Sequence, residues 1–177
     1  PCHTKRHIEV CQVVRNAKNQ IENEKVLAAI RGVFALQNSA KKDSREDELR
    51  QRLRYILSQL GMSGERGTQD IIDACCFVRE HGGTVSSSGI RALCMALCPD
   101  APKSTEQRMR RAIERSLRHI ASLGLEDYTN EVFVRYATHL FPFEEVRREM
   151  AAIQGRGRGG HVSVKTFLDG LMVLLDD

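Results

Sequence analysis

The sequence predicts an all-α protein, a multi-helix bundle that contains a helix-turn-helix and carries a helical N-terminal extension. Apolar residues recur every three or four positions along most of the chain, which is the period of an amphipathic helix. Serine, threonine or proline precedes many of these stretches and glycine follows several of them, as is typical of helix starts and ends. The chain has 177 residues, of which 41% are hydrophobic. This is enough for one sizeable core or two small ones.

The helical pattern changes near residue 43, where we expect a domain boundary. Residues 1–43 are predicted to form a helical extension and linker, with a helix over residues 22–36 and a polar connection over residues 38–43. Residues 44–177 are predicted to form the domain that contains the helix-turn-helix. Its first helix is expected to be capped by Ser44 and to end at Gly61, and its apolar stripe is Leu49, Leu53, Ile56, Leu57 and Leu60.

The remaining helices of this domain are predicted from their start and stop signals. One helix is expected to end at Cys98, because Pro99 disfavours helical geometry in the residue before it. Gly124 is expected to break another. The predicted helix starts are Thr68, the serines at 86–88, Ser104, Thr129, Pro142 and Ser163.

Residues 103–118 are predicted to form a basic amphipathic helix. Its apolar stripe is expected to be buried and consists of Met109, Ala112, Ile113, Ser116, Leu117, Ile120 and Ala121. Residues 103–118 carry six basic and two acidic residues, and their net charge of +4 equals that of the whole chain. Concentration of the charge surplus on one element is the pattern expected of a surface that binds a polyanion. Ser104, with Gln107 three residues later, predicts a capping box at the start of the helix.

A short connection joins the preceding helix to the basic one, which is the layout of a helix-turn-helix with its second helix in the major groove. The first two turns are then expected to reach base edges, and the later arginines to reach phosphates. Only 5% of the residues are aromatic and none is Trp, so duplex DNA is favoured over single strands or structured RNA. The predicted DNA-binding residues are Lys103, Ser104, Thr105, Gln107, Arg108, Arg111, Arg115 and Arg118.

The sequence therefore predicts a sequence-specific transcriptional regulator of the helix-turn-helix type that acts as a homodimer in the cytoplasm. A protein–protein interaction adaptor, whose basic helix docks an acidic partner, is the alternative. No catalytic constellation, cofactor motif or membrane-spanning run is visible, so the chain is not expected to be an enzyme, to bind a cofactor or to enter a membrane.

Two other groups of residues have more than one interpretation. His3, His7 and Cys11 are spaced by four residues, with Cys2 beside them, which on a helix would align metal ligands; we expect no metal there. Cys75, Cys76, Cys94 and Cys98 are interpreted as reduced, buried apolar residues rather than as disulfides or zinc ligands.

A glycine- and arginine-rich loop precedes the last helix. Residues 155–160 read Gly-Arg-Gly-Arg-Gly-Gly. The arginines between glycines match a segment that lies in a minor groove, but a mobile connector is the preferred interpretation.

From about residue 50 onward, the chain resembles the C-terminal DNA-binding effector domain of the master sporulation response regulator of endospore-forming bacteria. The matching pieces are residues 56–67, 97–100, 108–113 and 167–168. The resemblance implies a six-helix bundle whose helix-turn-helix reads duplex DNA as a dimer, with Arg108 and Arg111 at basic positions of the recognition helix. It also implies that phosphorylation control is missing from this chain, because residues 1–45 are too short for the family's receiver domain.

Overall fold

The structure is a computed structural model that describes residues 25, 31, 44–64, 66–82 and 89–176. Within residues 44–176, the described part of the chain contains seven α-helices and no strand, which confirms the predicted all-α class. The helices are α1 (44–59), α2 (Arg66–Glu80), α3 (Ile90–Leu97), α4 (Pro102–Glu126), α5 (Glu131–Tyr136), α6 (Phe143–Ile153) and α7 (Val164–Asp176).

The chain divides into two compact units, Pro1–Glu46 and Asp47–Asp177. Lys25 and Arg31, both helical, are the only described residues before residue 44. The predicted extension, its linker and the domain boundary at residue 43 therefore stay predictions. The Ser44 cap also stays a prediction, because the residue before it lies outside the described part. The helix start predicted at the serines 86–88 is likewise untested, because these residues lie outside the described part.

Helix α4 is the centre of the second unit. It packs against α2, α3, α5, α6 and α7, and α2 also contacts α3 and α7. The face of α4 that makes these contacts is buried. It contains every residue of the predicted stripe, from Met109 to Ala121, and also Thr105 and Gly124. The basic helix is thus a core element along one side of its length.

The predicted end of α1 at Gly61 is confirmed. Gly61 has a φ of +74°, a left-handed conformation that glycine adopts without steric cost at the end of a helix. The next amide, that of Met62, returns to the carbonyl of Leu57 at 2.9 Å. A Cβ at position 61 would lie 3.1 Å from the His119 ring of α4, so the loop after α1 runs beside α4.

The predicted capping box at Ser104 is wrong. Helix α4 begins at Pro102, so Ala101 rather than Ser104 precedes it, and no side chain caps it. Proline has a fixed φ and no amide hydrogen, so it suits the first helical position, where an amide would have no partner in the helix. Ser104 therefore lies in the first turn instead of in front of it.

The caps predicted at Thr68 and Thr129 are also wrong. Thr68 is a buried residue inside α2, which already begins at Arg66. Helix α5 is capped by Asn130 instead of Thr129, and Oδ1 of Asn130 accepts hydrogen bonds from the α5 amides of Val132 and Phe133 at 3.0 and 3.2 Å. The cap predicted at Ser163 is confirmed, because its hydroxyl accepts a hydrogen bond from the amide of Thr166 at 3.1 Å.

The break predicted at Gly124 is also wrong, since α4 continues through it to Glu126. A Cβ at position 124 would overlap the ring of Phe133 and approach the methyl group of Met150. The glycine is therefore explained by the close packing of α5 and α6 on α4, despite its cost in helix propensity.

The described cysteines are free thiols. Cys75, Cys76 and Cys94 are buried and Cys98 is half-buried, so the prediction of small apolar residues in the core is confirmed for the first three. Cys2 and Cys11 lie outside the described residues. Among the helices that the structure describes, none is long and apolar enough to cross a membrane.

Candidate nucleic-acid interface

The connection between α3 and α4 is four residues long, from 98 to 101. The amide of Cys98 donates to the carbonyl of Cys94 at 3.0 Å, and the amide of Ala101 donates to the carbonyl of Cys98 at 3.2 Å. Helices α2, α3 and α4 contact one another pairwise. These contacts hold α2, the short helix α3, the tight turn and the basic helix α4 together as one three-helix unit.

One face of α4 is exposed and basic. Its members are spaced by three or four residues, so they lie along the same side of the helix. We call this surface the arginine face; it consists of Ser104, Gln107, Arg111, Arg115 and Arg118, all of them exposed. The exposed Glu114, three residues after Arg111 and four before Arg118, lies on the same side and lowers the net charge of this face. Lys103, also exposed, lies at its N-terminal end. An open depression on the first turns is lined by Lys103, Ser104, Gln107, Arg108 and Arg111.

Thr105 does not belong to this face. It is 1% exposed, and its hydroxyl donates to the carbonyl of Ala101 at 3.2 Å and accepts a hydrogen bond from Arg108 at 3.0 Å. Both hydrogen bonds lie within the turn and the start of α4. The predicted role of Thr105 at a base edge does not agree with this position, because its side chain lies on the core side of the helix.

Arg108 is engaged by a carboxylate of another helix. Its Nε donates to Oδ2 of Asp70 at 2.6 Å and its Nη2 donates to Oδ1 at 3.0 Å, which is the bidentate geometry that guanidinium groups favour. The hydrogen bonding to Asp70 raises the pKa of Arg108. Arg108 was predicted to read bases, but the structure places it as a link between α4 and α2.

The backbones of α2 and α4 come close together beside this pair. A Cβ at Gly67 would overlap the carbonyl oxygen of Arg108 and would lie 3.1 Å from the Cβ of Ala112. Only glycine allows this backbone approach. Neither Gly67 nor Asp70 was predicted to position α4, because nothing in the local sequence marks such a distant contact; Asp70 and Arg108 are 38 positions apart.

The glycine- and arginine-rich segment lies on another side of α4. We call residues 155–160 the arginine loop. The amide of Gly160 donates to Oε2 of Glu149 at 2.9 Å, and the amide of His161 donates to Oε2 of Glu145 at 2.8 Å. A Cβ at Gly160 would overlap the carbonyl oxygen of Glu145 and lie 3.1 Å from Cδ2 of Leu117. The end of the loop is therefore seated against α6 and α4.

The residues His3, His7 and Cys11, where no metal is expected, lie outside the described residues, so this prediction is not tested. In the part of the chain that the structure describes, no group of three or more His, Cys, Asp or Glu side chains is arranged to hold a metal ion.

Comparison with known proteins gives a family and one curated relative. The chain is 30% identical over 172 aligned residues to the Transcriptional regulatory protein GlnL of Bacillus subtilis (strain 168); the match covers 84% of this chain and 55% of the relative. The chain thus spans about half the length of that relative. No solved structure matches the chain significantly. A family model described as the YcbB domain matches residues 52–171, which is more than half of the chain, and the chain therefore belongs to the YcbB domain family.

Proposed function

We propose that this protein is a sequence-specific duplex DNA-binding regulator of transcription. In this proposal α3 and α4 form a helix-turn-helix, and the arginine face of α4 enters the major groove. The role is one of binding, without catalysis. The name of the relative from Bacillus subtilis, a transcriptional regulatory protein, supports the same class of function.

The observation that carries the proposal is the division of α4 into two faces. One face is buried in the core, so the helix is held rigidly by the rest of the domain. The other presents Gln107, Arg111, Arg115 and Arg118 to solvent. A rigid helix with an exposed row of guanidinium groups matches both the shape of the major groove and the charge of the phosphates beside it.

The contacts are assigned from position along the helix. Gln107 and Arg111 lie in the first turns, where recognition helices meet base edges, and their side chains suit adenine and guanine respectively. Arg115, Arg118 and Lys103 are assigned to phosphates. Ser104 adds a hydroxyl at the start of the face. Buried Thr105 and the ion-paired Arg108 are left out of the contact surface.

We also retain the homodimer as part of the proposal, because helix-turn-helix proteins commonly bind two half-sites with two-fold symmetry. Sedimentation equilibrium of the chain with and without a DNA site tests it. Neither the family model nor the relative from Bacillus subtilis is the sporulation regulator, so a role in sporulation stays a prediction from the resemblance alone.

Two arginine variants test the DNA-binding proposal. Arg111→Ala is expected to cost about 1–3 kcal/mol at a selected site and to relax the base preference there. Arg118→Ala is expected to weaken binding to all duplexes similarly and to lower the slope of log K against log salt by about one. Electrophoretic mobility shifts at two or more salt concentrations measure both effects.

Arg147→Ala is the charge-matched control, since Arg147 is an exposed residue of α6 outside the proposed surface. Equal effects of all three variants would contradict the proposal, because only the net charge would then matter. Unchanged DNA binding in both α4 variants, together with loss of an acidic protein partner, would instead establish the adaptor function.

A further inference from the structure

We propose that the arginine loop is a second DNA-binding element, whose Arg156 and Arg158 enter the minor groove adjacent to the major groove that α4 occupies. The inference rests on the proposed function of α4. It assigns a ligand to residues that the helix-turn-helix does not use.

The C-terminal end of the loop meets α4 one residue before Arg118 of the arginine face. Gly160 packs against Leu117, which is adjacent in sequence to Arg118 and lies about 100° from it around the helix. Helix α2 lies on another side of α4, where Gly67 meets the backbone of Arg108. The arginine face is therefore flanked by α2 and by the arginine loop, and a duplex lying on this face would pass beside the loop.

Both ends of the loop are fixed by hydrogen bonds. At its start, the amides of Gly155 and Arg156 return to the carbonyls of Ala152 and Ala151 at 2.9 and 2.7 Å. At its end, the amides of Gly160 and His161 donate to the carboxylates of Glu149 and Glu145. These anchors limit the directions in which the segment between them can extend, which lowers the entropy cost of binding.

The tip of the loop is basic, narrow and exposed. Arg156 and Arg158 are both exposed, and Arg156 hydrogen-bonds the side chain of Gln154. Gly155 and Gly157 have φ values of +76° and +89°, with open space around the position of a Cβ. A backbone with few side chains fits the minor groove, which is about 6 Å wide. Arginine is attracted by the strong negative potential of a narrow A·T-rich minor groove.

The test varies only the flanking base pairs, where the loop is proposed to bind, and includes two pairs that differ in the minor groove alone. Duplex sites are first selected from a random pool with the unmodified chain and then resynthesised with flanks of A·T, G·C or inosine·cytosine pairs. Inosine lacks the amino group that guanine places in the minor groove, but it keeps the O6 and N7 acceptors of the major groove. We expect the unmodified chain to bind the A·T and inosine·cytosine flanks similarly and the G·C flanks about tenfold more weakly.

The loop variants Arg156→Ala and Arg158→Ala are expected to lose most of this tenfold preference, whereas Arg147→Ala keeps it. Arg147 is a matched control because it lies between Glu145 and Glu149 in sequence, and hence on the opposite side of α6 from the carboxylates that hold the loop. Circular dichroism spectra of the variants are expected to be unchanged, since both loop arginines are exposed.

Two results would overturn the inference, and Arg111→Ala shows whether the proposed function fails with it. Equal losses on all three flanks would show that the loop arginines bind phosphates, and losses no larger than that of Arg147→Ala would make the loop a connector. If Arg111→Ala also left binding unchanged, the proposed function itself would fail. If Arg111→Ala weakened binding while the loop variants did not, only the minor-groove inference would fail.

Discussion

The ion pair between Arg108 and Asp70 is expected to stabilise the domain by holding α2 against α4. Its two hydrogen bonds are 2.6 and 3.0 Å long, and the side chains are 34% and 19% exposed. Fully exposed pairs contribute about 0.2–1 kcal/mol, while hydrogen bonds to charged groups contribute about 1.5–3 kcal/mol. Partial exposure places this pair between those limits, so we expect a coupling energy of about 1–2 kcal/mol.

A double-mutant cycle measures this coupling without assigning the whole effect of a mutation to the pair. Arg108→Ala, Asp70→Ala and the double variant are compared with the unmodified chain by urea denaturation. The pair Arg79–Asp176 is the control, because it also joins two helices but its side chains are 44% and 66% exposed; its coupling is expected to stay below about 0.5 kcal/mol.

Equal coupling energies for the two pairs would refute this reasoning, since burial and bidentate geometry would then add nothing. Arg108→Lys is expected to recover less than half of the coupling, because a lysine cannot form the two-armed contact. A variant that kept full stability but lost base preference would instead return Arg108 to the base-reading role predicted from the sequence.

Two further predictions concern the packing around the same pair. Gly67→Ala is expected to destabilise the domain by about 1–3 kcal/mol in urea denaturation, although alanine is favoured over glycine by about 1 kcal/mol within a helix; a stabilised variant would contradict the close approach to the Arg108 carbonyl. Burial, reinforced by the carboxylates of Glu106 and Asp70 and opposed by Arg108, raises the pKa of Cys94 to about 11. The folded chain then keeps a proton that the unfolded chain loses, so stability falls as pH rises from about 9 to about 11. Cys94→Ala is expected to make this fall shallower in thermal melts at several pH values, and an unchanged slope would contradict the assignment.

Much of the fold could be predicted because the period and the ends of a helix depend on residues that are close in sequence. The stripe from Met109 to Ala121 was predicted from its spacing and is buried as predicted. Gly61 and Ser163 end and begin helices as their residue types indicate. Errors occurred where two local signals competed, as at Pro102 and Ser104, where the proline starts the helix before the serine can cap it.

The candidate site was predictable in part. The exposure of Gln107, Arg111, Arg115 and Arg118 follows from the same periodicity that buries the other face of α4. Thr105 is four residues before Met109, so the period places it with the buried stripe, but its polar side chain led to the prediction of a base contact. The position of Arg108 did not follow, because it lies at the border between the two faces. At such positions the neighbouring helix, rather than the helical period, decides whether a side chain meets solvent.

The sequence by itself determined the all-helical class, the buried stripe of α4 and the concentration of the net charge on that helix, because each depends on residues within a few turns of one another. Only the tertiary structure decided that Asp70 binds Arg108, that Gly67 admits the backbone of α4 and that Gly160 seats the arginine loop against Leu117. These contacts join residues about 40 positions apart. Which of these contacts form depends on how whole helices pack, and a local sequence pattern does not predict that packing.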